Sequence, residues 1–554
     1  MTIAVPEDHA MVSIFRHHRD DRAAESPTLP LPPPHQEPAA PRYATDGPAR
    51  LPLIYVRGFA GGTSGIDKQV DDPFYGFNTG STHIRVGGDG NPQYYQFESP
   101  LLRLFADDGY HPLTSGDPRA YLQSCAAGSV DPATVWVHRF YDASADTFGK
   151  RAADFDIEAA ARDLYELVQL VREKTGSDKV DLIAHSMGGL ICRSMLQKWS
   201  YDSLGDFRPT VPGKDLVDKL FTYGTPHGGI GFAVGDGLLD EFMEDLGPVG
   251  SDIFSPEKMY GYLVPGVEYG TEAPDGWRAD RIPPEDFDTD RVFCVIGTDA
   301  GDYGLAQKVV GPQSDGLVAI GNACVDGAHR AYIHRSHSGR FGLVNSEEGY
   351  QNLRRFLFGR KRVAVALSGL EPGPPATDGR RSFRQGELQL SIRGLPVVTD
   401  QQLAAHYCPV ALEPDPDGDC VPLTTVFLLD PLTMPADGTD GPVSLPSRYA
   451  LHLRVSRLTE EHGVLSWRDH LARTADWDDV LIVDVGHEND DPEGELRIWA
   501  AWNSELPGAI ADRDPVGAGP LDHDQDAVPV PLPPGAGRLL GAGAAVVLTP
   551  GVWS

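Results

Sequence analysis

No stretch of about 18 consecutive apolar residues occurs in this 554-residue chain, which excludes a helix spanning a bilayer. The first 25 residues hold no apolar run of signal-peptide length, so a cytoplasmic location is expected. Cysteine is sparse. Cys125, Cys192, Cys294, Cys324, Cys408 and Cys420 lack both the paired short spacings of a zinc site and the density of a disulfide scaffold, and most of them read as buried thiols. Basic residues are also short, 47 Lys and Arg against 80 Asp and Glu, for a formal charge of −33. Such a field repels phosphate backbones, so nucleic acid is excluded as a partner and the acidity reads as a solvated surface. No repeat of 20–50 residues stands out.

What is present suits a soluble globular chain of two or three domains, with 61 Gly and 47 Pro marking many loops. Residues 1–50 are polar and Pro-rich, including Leu29-Pro30-Leu31-Pro32-Pro33-Pro34, and read as a flexible arm. The character changes at Leu51, where a short apolar run to Val56 is stopped by Arg57-Gly58, as a buried strand entering a tight loop would be. Further strands are expected at 135–141, 179–184, 220–223 and 291–296. Between them lie helices from an Asp154 or Asp156 cap to about Lys174, with Gly176 as the stop, and from Met187 to about Trp199. Strands alternating with helices predict a mostly parallel sheet.

That pattern ends with a helix at 350–358, with Asn345 and Glu348 spaced like a capping box and Gly359 at its end. Beyond it, 387–393, 451–455 and 496–500 alternate polar and apolar residues as half-buried strands do. The expected organisation is an α/β catalytic domain over 51–360 and a β-rich accessory domain, a sandwich, over 361–554. Residues 231–290 break the strand-helix alternation and suggest a lid.

The chemistry-bearing segment is Val180-Asp181-Leu182-Ile183-Ala184-His185-Ser186-Met187-Gly188-Gly189-Leu190, a strand running directly into a serine and then a helix. It is a nucleophile elbow, G-x-S-x-G with Ala184 at the first position. The sharp turn requires small neighbours and lifts the Ser186 hydroxyl above the sheet edge, while the helix directs its positive end at the site. A hydroxyl needs a neighbouring base, and in this fold the partners follow in the order serine, acid, histidine. His329, His334 and His337 lie downstream, with Asp299 just past the strand at 291–296 and Asp315 further along.

Ala184-His185-Ser186-Met187-Gly188-Gly189 resembles the nucleophile motif of bacterial lipases of the α/β-hydrolase superfamily. Gly224-Thr225-Pro226-His227-Gly228-Gly229 is similar to an element of lipases and of their inositol-deacylase-like branch, and Ser314-Asp315-Gly316-Leu317-Val318 to the segment carrying the lipase triad acid. The resemblance covers 51–359. It implies an α/β-hydrolase fold with Ser186 as nucleophile, Asp315 as acid and His337 as base, the latter followed by Phe341-Gly342-Leu343-Val344-Asn345 and a terminal helix as in lipases. Asp299 is the alternative acid and His334 the alternative base. The oxyanion donors would be the backbone N–H of Met187 and, carried over by position, of Phe59 in Arg57-Gly58-Phe59-Ala60-Gly61-Gly62, where Arg57 replaces the usual histidine.

The implied activity is hydrolysis of an ester or lipid substrate through an acyl-enzyme, with no cofactor. Thioester, amide or lipid-anchor cleavage uses the same triad, and a non-catalytic scaffold whose β-rich domain binds a partner is the reading from another class. No metal site is expected. His227 stands without partner ligands, and Asp415-Pro416-Asp417-Gly418-Asp419 is turn chemistry that lacks the late acid of a calcium loop, Val426 standing there.

Overall fold

The computed structural model describes residues 50–58, 85–86, 92–93, 100–112, 118–138, 156–200, 211–230, 251–301, 310–337, 342–373, 382–413, 420–429, 433–434, 443–444, 446–459, 475–487, 496–506 and 527–554. The expected arm, apart from Arg50, and the acidic run at 415–419 fall outside these residues.

Seven strands build one sheet: β1 (Leu53–Val56), β2 (His111–Pro112), β3 (Thr134–His138), β4 (Val180–His185), β5 (Val217–Tyr223), β6 (Val292–Gly297) and β7 (His329–Ile333). Their order is β2-β3-β1-β4-β5-β6-β7, and every neighbouring pair is parallel. A parallel sheet is covered by helices on both faces, so its strands read as continuous apolar runs. In β1, Ile54 and Val56 enter the core on one face while Leu53 and Tyr55 enter that on the other. The first face packs on α2 (Ile157–Thr175), α3 (Met187–Ser194) and α4 (Pro256–Leu263), the second on α1 (Pro100–Asp108) and α5 (Glu347–Phe358). This is the expected α/β-hydrolase-like arrangement, with β4 central and Ser186 following its C-terminal end.

Local chemistry explains the helix ends. Asp156 accepts the Glu158 N–H at 2.9 Å to start α2, and Gly176, at φ 73°, stops it. The expected cap of α5 is corrected. Asn345 closes a 3-10 turn, Leu343–Asn345, and Ser346 is the cap, its hydroxyl accepting the Gly349 N–H at 2.9 Å. Glu348 turns outward to Arg335 at 3.0 Å and does not close the capping box. The helix expected from Met187 to Trp199 is α3 followed by a π-turn over Met195–Trp199, where the buried Lys198 ammonium donates to the carbonyls of Gly261 (2.8 Å) and Val267 (2.7 Å). Of the expected lid, 231–250 lie outside the described residues. Within the rest, Ile253, Phe254, Met259, Tyr262, Ala279 and Ile282 belong to the core beneath α3.

Among the described residues after α5 there are two larger antiparallel sheets, besides the short pair Thr433–Met434 and Val443–Ser444. One contains β8 (Lys361–Ser368), β11 (Cys420–Leu428), β15 (Val528–Pro531) and β16 (Ala545–Val552) in the order β11-β8-β16-β15. The other contains β9 (Ser382–Ile392), β10 (Val398–Gln402), β12 (Ser447–Thr459), β13 (Trp477–His487) and β14 (Leu496–Trp502) in the order β10-β9-β12-β13-β14. Alternate residues such as Val363 and Val365 from the first, and Leu388, Leu390, Leu451 and Leu453 from the second, fill one shared core, as in a sandwich. Among the described residues no helix is long and apolar enough to cross a membrane.

The β-rich part meets the parallel sheet through aromatic rings. Trp553 and Phe427 join the core formed by Phe293 and Phe356, with ring centroids of Trp553 5.3 Å from Phe356 and 4.9 Å from Phe427. The Trp553 indole N–H donates to the Phe356 carbonyl at 2.7 Å, which satisfies its one polar atom. Removing a buried tryptophan leaves a cavity, so Trp553→Ala is expected to lower unfolding free energy by about 3–5 kcal/mol. Trp553→Phe should retain much of it. Urea midpoints measure both, and an unchanged midpoint in Trp553→Ala contradicts the packing.

Candidate active site

The strand-to-helix junction is abrupt. Ser186 has φ 53° and ψ −129°, one of only two non-glycine residues at positive φ among those described. Such a conformation costs about 1–3 kcal/mol and persists only where neighbours over-determine it. Here the Ser186 N–H donates to the Tyr223 carbonyl at 2.9 Å, and the Thr225 hydroxyl donates to the Ser186 carbonyl at 2.8 Å. The motif's small residues follow from close approach. A Cβ on Gly188 would lie 2.2 Å from the Val56 carbonyl oxygen, and one on Gly58 would lie 2.8 Å from the Ser186 Cβ.

The histidine and acid arrive from two loops. After β7 the chain turns so that His337 N–H donates to the Asp315 carbonyl at 2.9 Å, joining the loops by backbone. Asp315 sits in a tight turn. Its Oδ1 accepts the N–H groups of Leu317 (3.0 Å) and Val318 (2.7 Å), leaving Oδ2 directed at His337. His337 Nδ1–H donates to Oδ2 at 2.8 Å, because an ionised carboxylate can only accept, and Nε2 is thereby left to accept the Ser186 hydroxyl at 2.9 Å. Asp315 and His337 are 1% and 3% exposed while Ser186 is half-buried, so the relay is screened from water except at its nucleophilic end.

The alternatives stand elsewhere. Asp299 accepts the Gly301 N–H at 2.8 Å within a turn, and His334 meets the Thr298 hydroxyl at 3.2 Å with its ring stacked on His406. The geometry therefore joins Ser186, His337 and Asp315 and leaves Asp299 and His334 out of that chain of hydrogen bonds. Met187 opens α3, and the first N–H groups of a helix have no intrahelical partner. Phe59 lies outside the described residues, although a Cβ on Gly58 before it would lie 2.8 Å from the Ser186 Cβ. His227 is buried, meets the Thr222 hydroxyl at 3.1 Å, and has its pKa lowered by burial; it does not reach Ser186 among the contacts described.

Three neighbours escape the motif reading. His185 Nε2–H donates to the His337 carbonyl at 3.0 Å, so the residue before the serine holds the backbone of the histidine. Thr225 ties the similar Gly-Thr-Pro-His segment to the Ser186 carbonyl. A Cβ at Gly224, which sits at φ 53°, would come within 3.0 Å of both Asp315 Oδ2 and His337 Nδ1. His185 is legible in retrospect as an imidazole within the elbow; the others depend on contacts between distant segments. Among the described residues no group of three or more His, Cys, Asp or Glu side chains is placed to hold a metal ion.

No protein-family model matches the sequence, and no curated protein does. Solved structures are similar to it at low scores. The mature Bacillus licheniformis lipase BlEst2 aligns at 13% identity over 56% of this chain and 93% of its own, with TM-score 0.30. The lin2722 gene product of Listeria innocua aligns at 13% identity over 56% of this chain and 94% of its own, with TM-score 0.24. The Legionella pneumophila phospholipase PlaB, solved with thio-NAD, aligns at 12% identity over 75% of this chain and 90% of its own, with TM-score 0.29.

Proposed function

We propose that this chain is a serine hydrolase of the lipase and esterase kind, cleaving carboxylic esters through an acyl-enzyme on Ser186. The observation that carries the reading is the continuous relay from Ser186 Oγ through His337 to Asp315, at 2.9 and 2.8 Å, with the serine in a strained elbow. His337 Nε2 takes the hydroxyl proton as Oγ attacks the ester carbonyl. Asp315 stabilises the imidazolium, and the proton passes to the departing alkoxide as the ester C–O bond breaks. Water then attacks the acyl-enzyme, with His337 again accepting and returning the proton. The developing oxyanion is assigned to the Met187 N–H at the positive end of α3 and to the Phe59 N–H after β1, the position next to Gly58. The lipase-like motifs support an acyl ester as substrate.

Ser186→Ala is expected to abolish hydrolysis of a short p-nitrophenyl ester by several orders of magnitude in a folded protein, since triad members act as a unit. A fluorophosphonate probe should label the wild-type serine and not the variant. Turnover retained in folded Ser186→Ala ends the assignment.

The acid and base are separated by paired variants. Asp315→Asn should lower kcat about 10⁴-fold by favouring the wrong imidazole tautomer, whereas Asp299→Asn should leave it near wild type. His337→Ala should be far more damaging than His334→Ala. Steady-state rates on the same ester decide, and equal losses within either pair would contradict the roles assigned.

A further inference from the structure

β7 is the edge of the hydrolase sheet and the strand from which the chain runs to His337. An edge strand carries backbone groups that no sheet partner satisfies, and a buried one needs an acceptor from elsewhere. The β-rich part supplies it. Asp400, in β10 and 1% exposed, accepts the Tyr332 N–H on Oδ1 at 2.9 Å, while its Oδ2 accepts from Gln402 Nε2 (3.0 Å) and the Thr424 hydroxyl (2.9 Å). Burial pushes this carboxyl up to about 6, and the three donors act against that rise.

Two further ties flank it. The His406 ring stacks on His334 with centroids 3.9 Å apart and planes parallel. Burial, and then the His334 imidazole, lower the His406 pKa to about 4, so this ring enters the stack uncharged. Asn352 Nδ2 of α5 donates to the Thr399 carbonyl at 2.8 Å. The residues from Tyr332 to His337 are thus held at one end by Asp400, in the middle by His406, and at the other by Asp315 and His185.

We propose that Asp400 and His406 are positioning residues for the base: through the Tyr332 N–H and the His334 ring, the β-rich part fixes the strand end and loop that deliver His337 to Ser186. The proposal rests on the ester-hydrolase reading for its kinetic readout only. A misplacement on the order of 1 Å in a catalytic group can cost about 10²-fold, so a loosened loop shows in kcat before it shows in substrate binding.

The test uses the full chain with Asp400→Ala, Asp400→Asn, His406→Ala and His406→Phe, each checked for native circular dichroism. The first readout is the far-downfield proton resonance of His337 Nδ1–H in its bond to Asp315, assigned by its loss in His337→Ala. The second is kcat and KM on p-nitrophenyl butyrate. Folded Asp400→Ala and His406→Ala are expected to broaden or lose the resonance and to lower kcat about tenfold or more at unchanged KM. Asp400→Asn keeps an acceptor for Tyr332 and His406→Phe keeps a stacked ring, so both should restore the resonance and the rate. His406 is half-buried, and His406→Ala decides the matter if Asp400→Ala does not fold. Wild-type resonance and kcat in the folded alanine variants overturn the proposal, as does a wild-type protein without the resonance. A wild-type protein with the resonance but no turnover removes the ester-hydrolase reading alone, and the resonance in the variants then decides the positioning role.

Discussion

The backbone of Ser186 is the constraint on which the rest depends. A serine at φ 53° is unstable by itself, and its surroundings hold it there: the Tyr223 carbonyl on its N–H, the Thr225 hydroxyl on its carbonyl, and Gly58 and Gly188 making room for neighbouring backbone. Tyr223 and Thr225 come from the end of β5 and Gly58 from the end of β1, so the parallel sheet must be assembled before the elbow can exist. The apolar burial of both sheet faces is therefore what sustains the local strain.

The base is held by a second set of contacts that shares almost no sequence with the first. His337 hangs between Asp315, on a turn closed by its own carboxylate, and His185, inside the elbow. His185 thus couples the two halves of the site: the residue that ends the nucleophile strand also holds the histidine backbone. The strand leading to this loop lies against the β-rich part, whose Phe427 and Trp553 enter the same core as Phe293 and Phe356. Removal of that part would expose aromatic surface and a sheet edge together.

Much of the α/β part was legible because its signals are local. The Gly176 stop of α2 and a cap at Asp154 or Asp156 are readable from capping chemistry, the structure selecting Asp156, and the elbow from a strand, a serine and small residues in immediate succession. The misses have physical reasons. β7 reads His-Arg-Ala-Tyr-Ile, too polar to announce a buried strand, because one edge faces β6 and the other is met by Asp400. Asn345 and Ser346 are both good caps, and only the 3-10 turn at Leu343–Asn345 selects the second. The π-turn at Met195–Trp199 keeps the helical period closely enough to pass for helix in the sequence.

By itself the sequence determined the α/β class, the strand-to-helix turn at Ser186 and the change from helix-and-strand alternation to period-two strands after α5, since each is written in contiguous residues through periodicity and turn chemistry. Between Asp299 and Asp315, or His334 and His337, it offered a preference carried by resemblance. Only the tertiary structure shows that it is Asp315 and His337 that are hydrogen-bonded in line with Ser186, because a hydrogen bond between residues 22 or 151 positions apart depends on where two loops end in space. The contacts of Asp400 with Tyr332 and of His406 with His334 belong wholly to that second kind, since nothing in either residue's local sequence indicates the strand it meets.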